Sequence, residues 1–184
     1  MKCTECGNAM TKSVGDHVYR ESGMDHVILR NVVRYDCESC GAKRVQIERM
    51  AQLHRLLAHI IATKPVRLLP SEVRFIRDHL ELSNRDFAIV MGVSETQASR
   101  WTSSEPIGVP AERFLRMLAT MGPIVLAADA SSVTLGRIKD NEIVADVRAT
   151  LGALPSKDEP IKEIPVRIRR TASDWKAEPL VAAS

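Results

Sequence analysis

The sequence predicts an α+β chain in three parts. Residues 1–64 read as a small four-cysteine, zinc-ribbon-like β domain with a linking helix, and 65–130 as an all-α helix-turn-helix domain of about five helices. Residues 131–184 form a C-terminal extension with a short helix and an edge strand. Three observations predict this. The only four cysteines fall as Cys3-x-x-Cys6 and Cys37-x-x-Cys40. Between them lie β-prone runs, and after them apolar residues recur at helical spacing. Finally, Leu82–Trp101 reads as two short helices around a glycine turn.

A Cys-x-x-Cys turn aims two thiolates at one ion, and Gly7 and Gly41 let the backbone turn tightly behind each pair. Two such knuckles complete a tetrahedral site, and in a reducing compartment the spacing reads as zinc rather than disulfide. Cys3, Cys6, Cys37 and Cys40 are therefore the expected ligands of one structural Zn²⁺ per chain. Four thiolates close the coordination sphere, so the site has no place for water or substrate. Glu5 and Glu38, inside the knuckles, read as solvated charges.

His17–Arg20 and His26–Tyr35 read as strands, with turn signals at Gly15-Asp16 and Ser22-Gly23, and Lys43–Ile47 as one more. So small a segment needs metal to fold. Ile47, Met50, Leu53, Leu56, Leu57, Ile60 and Ile61 predict an amphipathic helix to about Thr63. His54 and His59 do not share a face of it and read as surface histidines. Lys64-Pro65 ends the helix and marks the expected domain boundary.

Pro70-Ser71-Glu72 opens the next helix, with Val73, Ile76 and Leu80 on one face. Ser83 caps the first helix of the hairpin, with Asp86 as its capping-box partner, and Gly92 ends it in the left-handed region. Ser94 caps the second helix, with Gln97 as its partner. Ala98 and Trp101 are its packing groups, and Thr96, Gln97, Ser99 and Arg100 its polar ones. Pro110-Ala111-Glu112 opens a last helix bearing Phe114, Leu115, Met117 and Leu118.

A major groove admits one helix, and its base edges are read by side chains of these polar types. Arg100 suits guanine and Gln97 adenine. With Asn84, Arg85, Ser94, Thr96 and Ser99 they make up the expected DNA-contacting set, with Arg85 assigned to phosphate. The alternative is an ordinary helical hairpin whose polar side chains are merely solvated.

The net charge of +3 is mild support for a nucleic-acid partner. Residues 65–121 carry seven basic and seven acidic side chains, so affinity must come from placement and dimerisation rather than bulk charge. The 45% hydrophobic and 27% charged composition suits a soluble globular chain. No apolar run approaches the roughly 20 residues a membrane span needs. The N-terminus shows no hydrophobic signal region, and a cytoplasmic location is expected. No Ser/His/Asp set, zinc-hydrolase motif or phosphate loop is visible, so an enzyme is not expected.

Val93-Ser94 followed by Ser99-Arg100-Trp101 resembles the second helix of the Xre/Cro-like helix-turn-helix family, which implies operator binding as a dimer. Residues 1 to about 128 resemble, as a whole, the MqsA family of antitoxins, with its YgiT-type zinc finger. The resemblance rests on MKC-x-x-C, the β-rich insert, Y-x-C-x-x-C, the linking helix and the helix-turn-helix. It implies a repressor homodimer on a palindromic operator, with a zinc domain that binds a ribonuclease toxin encoded by a neighbouring gene. Arg100 matches the family's base-reading arginine, and the family's asparagine four positions earlier is Thr96 here, with Gln97 beside it. The alternative is a stand-alone regulator of the same architecture without a toxin.

The last fifty-odd residues exceed the resemblance. Asp140–Leu151 reads as a helix with Ile143, Val147 and Leu151 on one face, and Pro155–Pro160 as a linker. Ile164, Val166 and Ile168 alternate with Pro165, Arg167 and Arg169, which reads as a short edge strand protected by charge and proline.

Overall fold

The computed structural model describes residues 1–121, 154–155 and 159–180. Ten elements follow in order: β1 (Thr11–Val18), β2 (Val27–Asp36), β3 (Lys43–Gln46), α1 (Met50–Thr63), α2 (Pro70–His79), α3 (Asn84–Met91), α4 (Glu95–Trp101), α5 (Val109–Met121), β4 (Val166–Arg170) and β5 (Trp175–Ala177). The chain is mixed α+β, as expected, but its compact units are Met1–Leu56 with the segment from Ile164 onward, and Leu57–Glu163. The division falls inside α1, not at Lys64-Pro65, and the C-terminal strands belong to the first unit. The helix expected over Asp140–Leu151 lies outside the described residues.

In the first unit β2 is the organising strand. One of its edges pairs with β1 throughout. The other is shared: Val33–Asp36 pairs antiparallel with β3, and Val27–Arg30 pairs parallel with β4. The two halves meet at Asn31, whose φ of 61° places it in the left-handed region that asparagine tolerates. There the register slips. Gly15 faces Val32 and His17 faces Leu29, so Asp16 alone opposes Arg30 and Asn31. Gly15-Asp16 thus stays within strand β1, opposite a β-bulge at Arg30-Asn31, rather than forming the expected turn. The chain turns at the other expected signal, Ser22-Gly23, through a 3₁₀ segment at Arg20–Ser22 closed by Gly23.

The strand at Val166–Arg170 forms with the expected alternation, Val166 and Ile168 being buried. It is not an edge, because β2 and β5 flank it. Parallel pairing needs a partner distant in sequence, which alternation alone does not reveal. The start of α1 is held in the same unit. Trp175 Nε1 donates to the Glu48 carbonyl at 2.8 Å, and Gln52 Nε2 to Asp174 Oδ1 at 3.0 Å. His54 is not the free surface group expected: its Nε2 lies 2.8 Å from the buried Tyr19 hydroxyl, and burial lowers its pKa.

The second unit is built on Phe87, Ala98, Trp101, Ile107 and Leu115, all buried. Beside this apolar core are charges that ordinarily stay in water. Lys64, Glu72, Glu112 and Arg116 are each at most 2% exposed. Arg116 donates to the carbonyls of Ala62, Lys64 and Val66 at 2.9, 2.9 and 2.6 Å, and to Glu112 Oε1. Glu112 accepts from the Leu68 amide at 3.0 Å and from Arg67. Glu72 accepts from Lys64 Nζ and from the Leu69 amide. The segment joining α1 to α2 is therefore held by Glu72 of α2 and by Glu112 and Arg116 of α5, and Arg116 satisfies one carbonyl left open at the end of α1 and two in the segment after it.

Three carboxylates hold β4 and β5 in the first unit, and all three sit below their ordinary pKa values. Glu178 does so mainly through Arg169, Glu48 through Arg170, and Asp174 through Gln52. The folded chain therefore binds fewer protons here than the unfolded one. This stabilisation is complete above the ordinary carboxylate values of 3.8 to 4.5 and is lost as pH falls below them. The Trp175 indole N–H resonance should consequently shift and broaden below about pH 4, before that of Trp101 in the second unit. Simultaneous loss of both would show that the C-terminal strands carry no separate acid sensitivity.

Candidate metal centre and helical surface

The two cysteine knuckles have the same backbone construction. The Cys3 amide donates to the Asn8 carbonyl and the Gly7 amide to the Cys3 carbonyl, at 2.8 and 2.9 Å. The Cys37 amide donates to the Ala42 carbonyl and the Gly41 amide to the Cys37 carbonyl, both at 2.8 Å. Gly7 and Gly41 have φ of 76° and 74°, where a side chain would be strained. Cys3 and Cys37 are buried with Met10, and Tyr35 and Ala42 pack against them, while Cys6 and Cys40 face solvent.

The four sulfurs lie within 4.8 Å of one another. Cys3 is 3.6 Å from Cys40, and Cys6 is 3.4 Å from Cys37. All four are free, and these separations far exceed a disulfide bond of about 2.05 Å. They approach the ~3.8 Å between ligands of a tetrahedral ion with metal–sulfur bonds near 2.3 Å. The thiols differ in acidity. Cys37 is lowered to about 7, chiefly by the Cys40 amide, and Cys3 is lowered by the Cys6 and Glu5 amides. At Cys40 the Ala42 amide favours the thiolate, yet hydrogen bonds to the Cys6 and Cys37 sulfurs, with burial, push it up to about 12. Four crowded thiolates need a positive ion between them, so the donor set fits a soft divalent metal.

In the second unit, α3 and α4 pack together across the turn Gly92-Val93-Ser94. Gly92, at φ 66°, ends α3. Ser83 accepts from the Asp86 amide at 3.1 Å and Ser94 from the Gln97 amide at 3.2 Å, as expected of caps. The boxes are not reciprocal. The Asp86 carboxylate accepts a hydrogen bond from the Ser83 hydroxyl, and Gln97 turns away to Glu105. Phe87, Ala88, Ala98 and Trp101 face the core, leaving Thr96, Ser99 and Arg100 exposed and Gln97 half-buried. Arg85 is exposed at the start of α3.

Two expected contact residues are used inside the fold. Asn84 is half-buried, and its Nδ2 donates to the Glu95 carbonyl at 3.2 Å, so it braces α3 against α4. Ser94 is exposed but commits its hydroxyl oxygen to its own helix. Sequence reasoning missed Glu105, which lies 3.7 Å from Arg100. Its only sequence signal was an acidic residue shortly after the helix.

Among the described residues, no helix is long and apolar enough to cross a membrane. Comparisons with protein-family models, with curated proteins and with solved structures give no match.

Metal binding at a closed four-thiolate site is worth about 10–16 kcal/mol at neutral pH, more than a small domain's whole stability. Cys37→Ser should therefore abolish stoichiometric metal binding and deprotect the amides of β3 and of Val32–Asp36, while α2–α5 keep theirs. Native-like hydrogen-exchange protection around Cys37 in the metal-free variant would contradict a metal-built knuckle pair.

Proposed function

We propose that this chain is a zinc-dependent, sequence-specific DNA-binding repressor, acting as a homodimer without a catalytic step. The observation that carries the reading is the outward sector of α4. Thr96, Gln97 and Arg100 lie within one helical turn of one another, on a helix whose other side is anchored by Ala98 and Trp101. That arrangement suits a groove-reading helix, with α3 and α4 as a helix-turn-helix. Zinc suits the metal centre because four thiolates in closed tetrahedral form are its usual structural site. A symmetric dimer would place two α4 helices about 34 Å apart on a palindromic operator.

The narrower form of this reading is an antitoxin whose zinc unit binds a ribonuclease toxin, and it rests on the resemblance of residues 1 to about 128. One observation favours the alternative, a stand-alone regulator. β4 and β5, beyond the span of that resemblance, complete the sheet of the metal-bearing unit. Co-expression with the adjacent reading frame separates the two: a stable complex that silences a toxic product supports the antitoxin.

Arg100→Ala should weaken binding to a duplex selected from a random pool by about 1–3 kcal/mol per half-site, with a smaller loss on random DNA. Arg85→Ala should weaken both duplexes alike and flatten the dependence on salt. Equal losses on both duplexes for Arg100→Ala would remove its reading role.

A further inference from the structure

Glu105 occupies the outward sector of α4 although it lies beyond the helix. Its placement comes from the backbone. The amides of Ser103, Ser104 and Glu105 all donate to the Arg100 carbonyl, at 3.1, 2.9 and 2.9 Å, so the chain curls back over the end of α4. Hydroxyls tighten the curl: Thr102 and Ser103 donate to the Ser99 carbonyl at 3.0 and 2.8 Å. Both ends are pinned. Arg74 Nε donates to the Thr102 carbonyl at 3.0 Å, and Arg67 Nη2 donates to that of Ile107.

The carboxylate so placed meets the two side chains of α4 best able to make bidentate base contacts. Gln97 Nε2 donates to its Oε2 at 3.4 Å, and Arg100 Nη1 lies 3.7 Å from its Oε1. Arg100 and Glu105 remain about half-exposed, at 55% and 46% of their side-chain surface, so this pair adds little stability. Its effect falls on what α4 presents. At 3.7 Å the pair is an ion pair rather than a hydrogen bond, so it draws Arg100 towards Glu105 and leaves all five guanidinium donors for a base. The same negative charge discourages Arg100 from settling on phosphate.

We infer that Glu105 is a positioning and specificity-determining residue, which holds Gln97 and Arg100 for base contact and suppresses sequence-independent binding. The inference rests on the DNA-binding reading of α4. Glu105→Gln keeps the size of the side chain and the backbone curl while removing the charge. In the metal-loaded, full-length variant, affinity for a random 30-base-pair duplex should rise roughly three- to tenfold, with a salt slope steeper by about 0.9. The ratio of selected-duplex to random-duplex affinity should fall roughly five- to tenfold. In the free protein, the Arg100 Nε–Hε resonance should move towards the position of a freely rotating arginine.

Equal changes on both duplexes would reduce Glu105 to a background charge and overturn the inference. An unmoved Arg100 resonance would overturn it without reference to DNA. A wild-type chain that enriches no sequence from a random pool would remove the DNA-binding reading itself, and the specificity role with it. In that case the Arg100 resonance would still report whether the clamp exists.

Discussion

The second unit depends on one buried interaction, the pairing of Arg116 with Glu112 around the segment that leaves α1. Arg116 gathers three carbonyls that no helix satisfies, and Glu112 takes the Leu68 amide and Arg67. Burial lowers the pKa of Arg116 even though Glu112 opposes it. Such a pair seldom adds net stability over an apolar replacement, but losing one partner costs about 3–5 kcal/mol because the other charge is stranded. Its contribution here is geometric. With Lys64 and Glu72 it fixes where α2 and α5 start relative to the linker, and those helices form the frame around α3 and α4. Burial likewise lowers the pKa of Lys64, with Glu72 opposing.

The first unit reaches order by a different route. Its two knuckles repeat one hydrogen-bond pattern, and their crowded sulfurs are held at mutual distances suited to an ion. Around them the apolar cluster is only Cys3, Met10 and Cys37 with Tyr35 and Ala42, too little to close the knuckle end by burial. The opposite end of the sheet relies on β4. Val166 and Ile168 add apolar surface against β2, and Arg169, Arg170 and Glu178 tie the added strands down at the rim. A cysteine cluster suited to a metal at one end and chain closure at the other compensate for the small core of a short sheet.

The sequence disclosed features whose causes are local. Cysteine spacing, the glycines behind each pair, the serine caps and the helices α1, α2 and α5 are set within a few residues and form as expected, although Ile47 precedes α1 and Met50 and Phe114 of the expected apolar rows are exposed. Features with distant causes stayed hidden. Val166–Arg170 displayed its alternation but not its parallel partner. Gly15-Asp16 had the composition of a turn, yet the strand continues because Asn31 across the ladder absorbs the extra residue. Glu72 and Glu112 read as ordinary helix openers, and Lys64 as a boundary mark, because charged residues default to the surface. Their burial follows only from three elements converging. Of the expected contact set, Thr96, Gln97, Ser99 and Arg100 are on or near the surface, whereas Asn84 is drawn inward by the Glu95 carbonyl.

Function then turns on whether the outward sector of α4 meets DNA. The second unit is formally balanced in charge over residues 65–121, so a contact there has to depend on the geometry of few groups. Amide chemical-shift mapping of the full-length, metal-loaded chain with a duplex enriched from a random pool tests this most directly. The account predicts perturbations confined to Arg85, the Gly92–Ser94 turn, the exposed positions of α4 and the Ser103–Glu105 curl. Perturbations centred on the sheet of the first unit, with α4 unmoved, would contradict it.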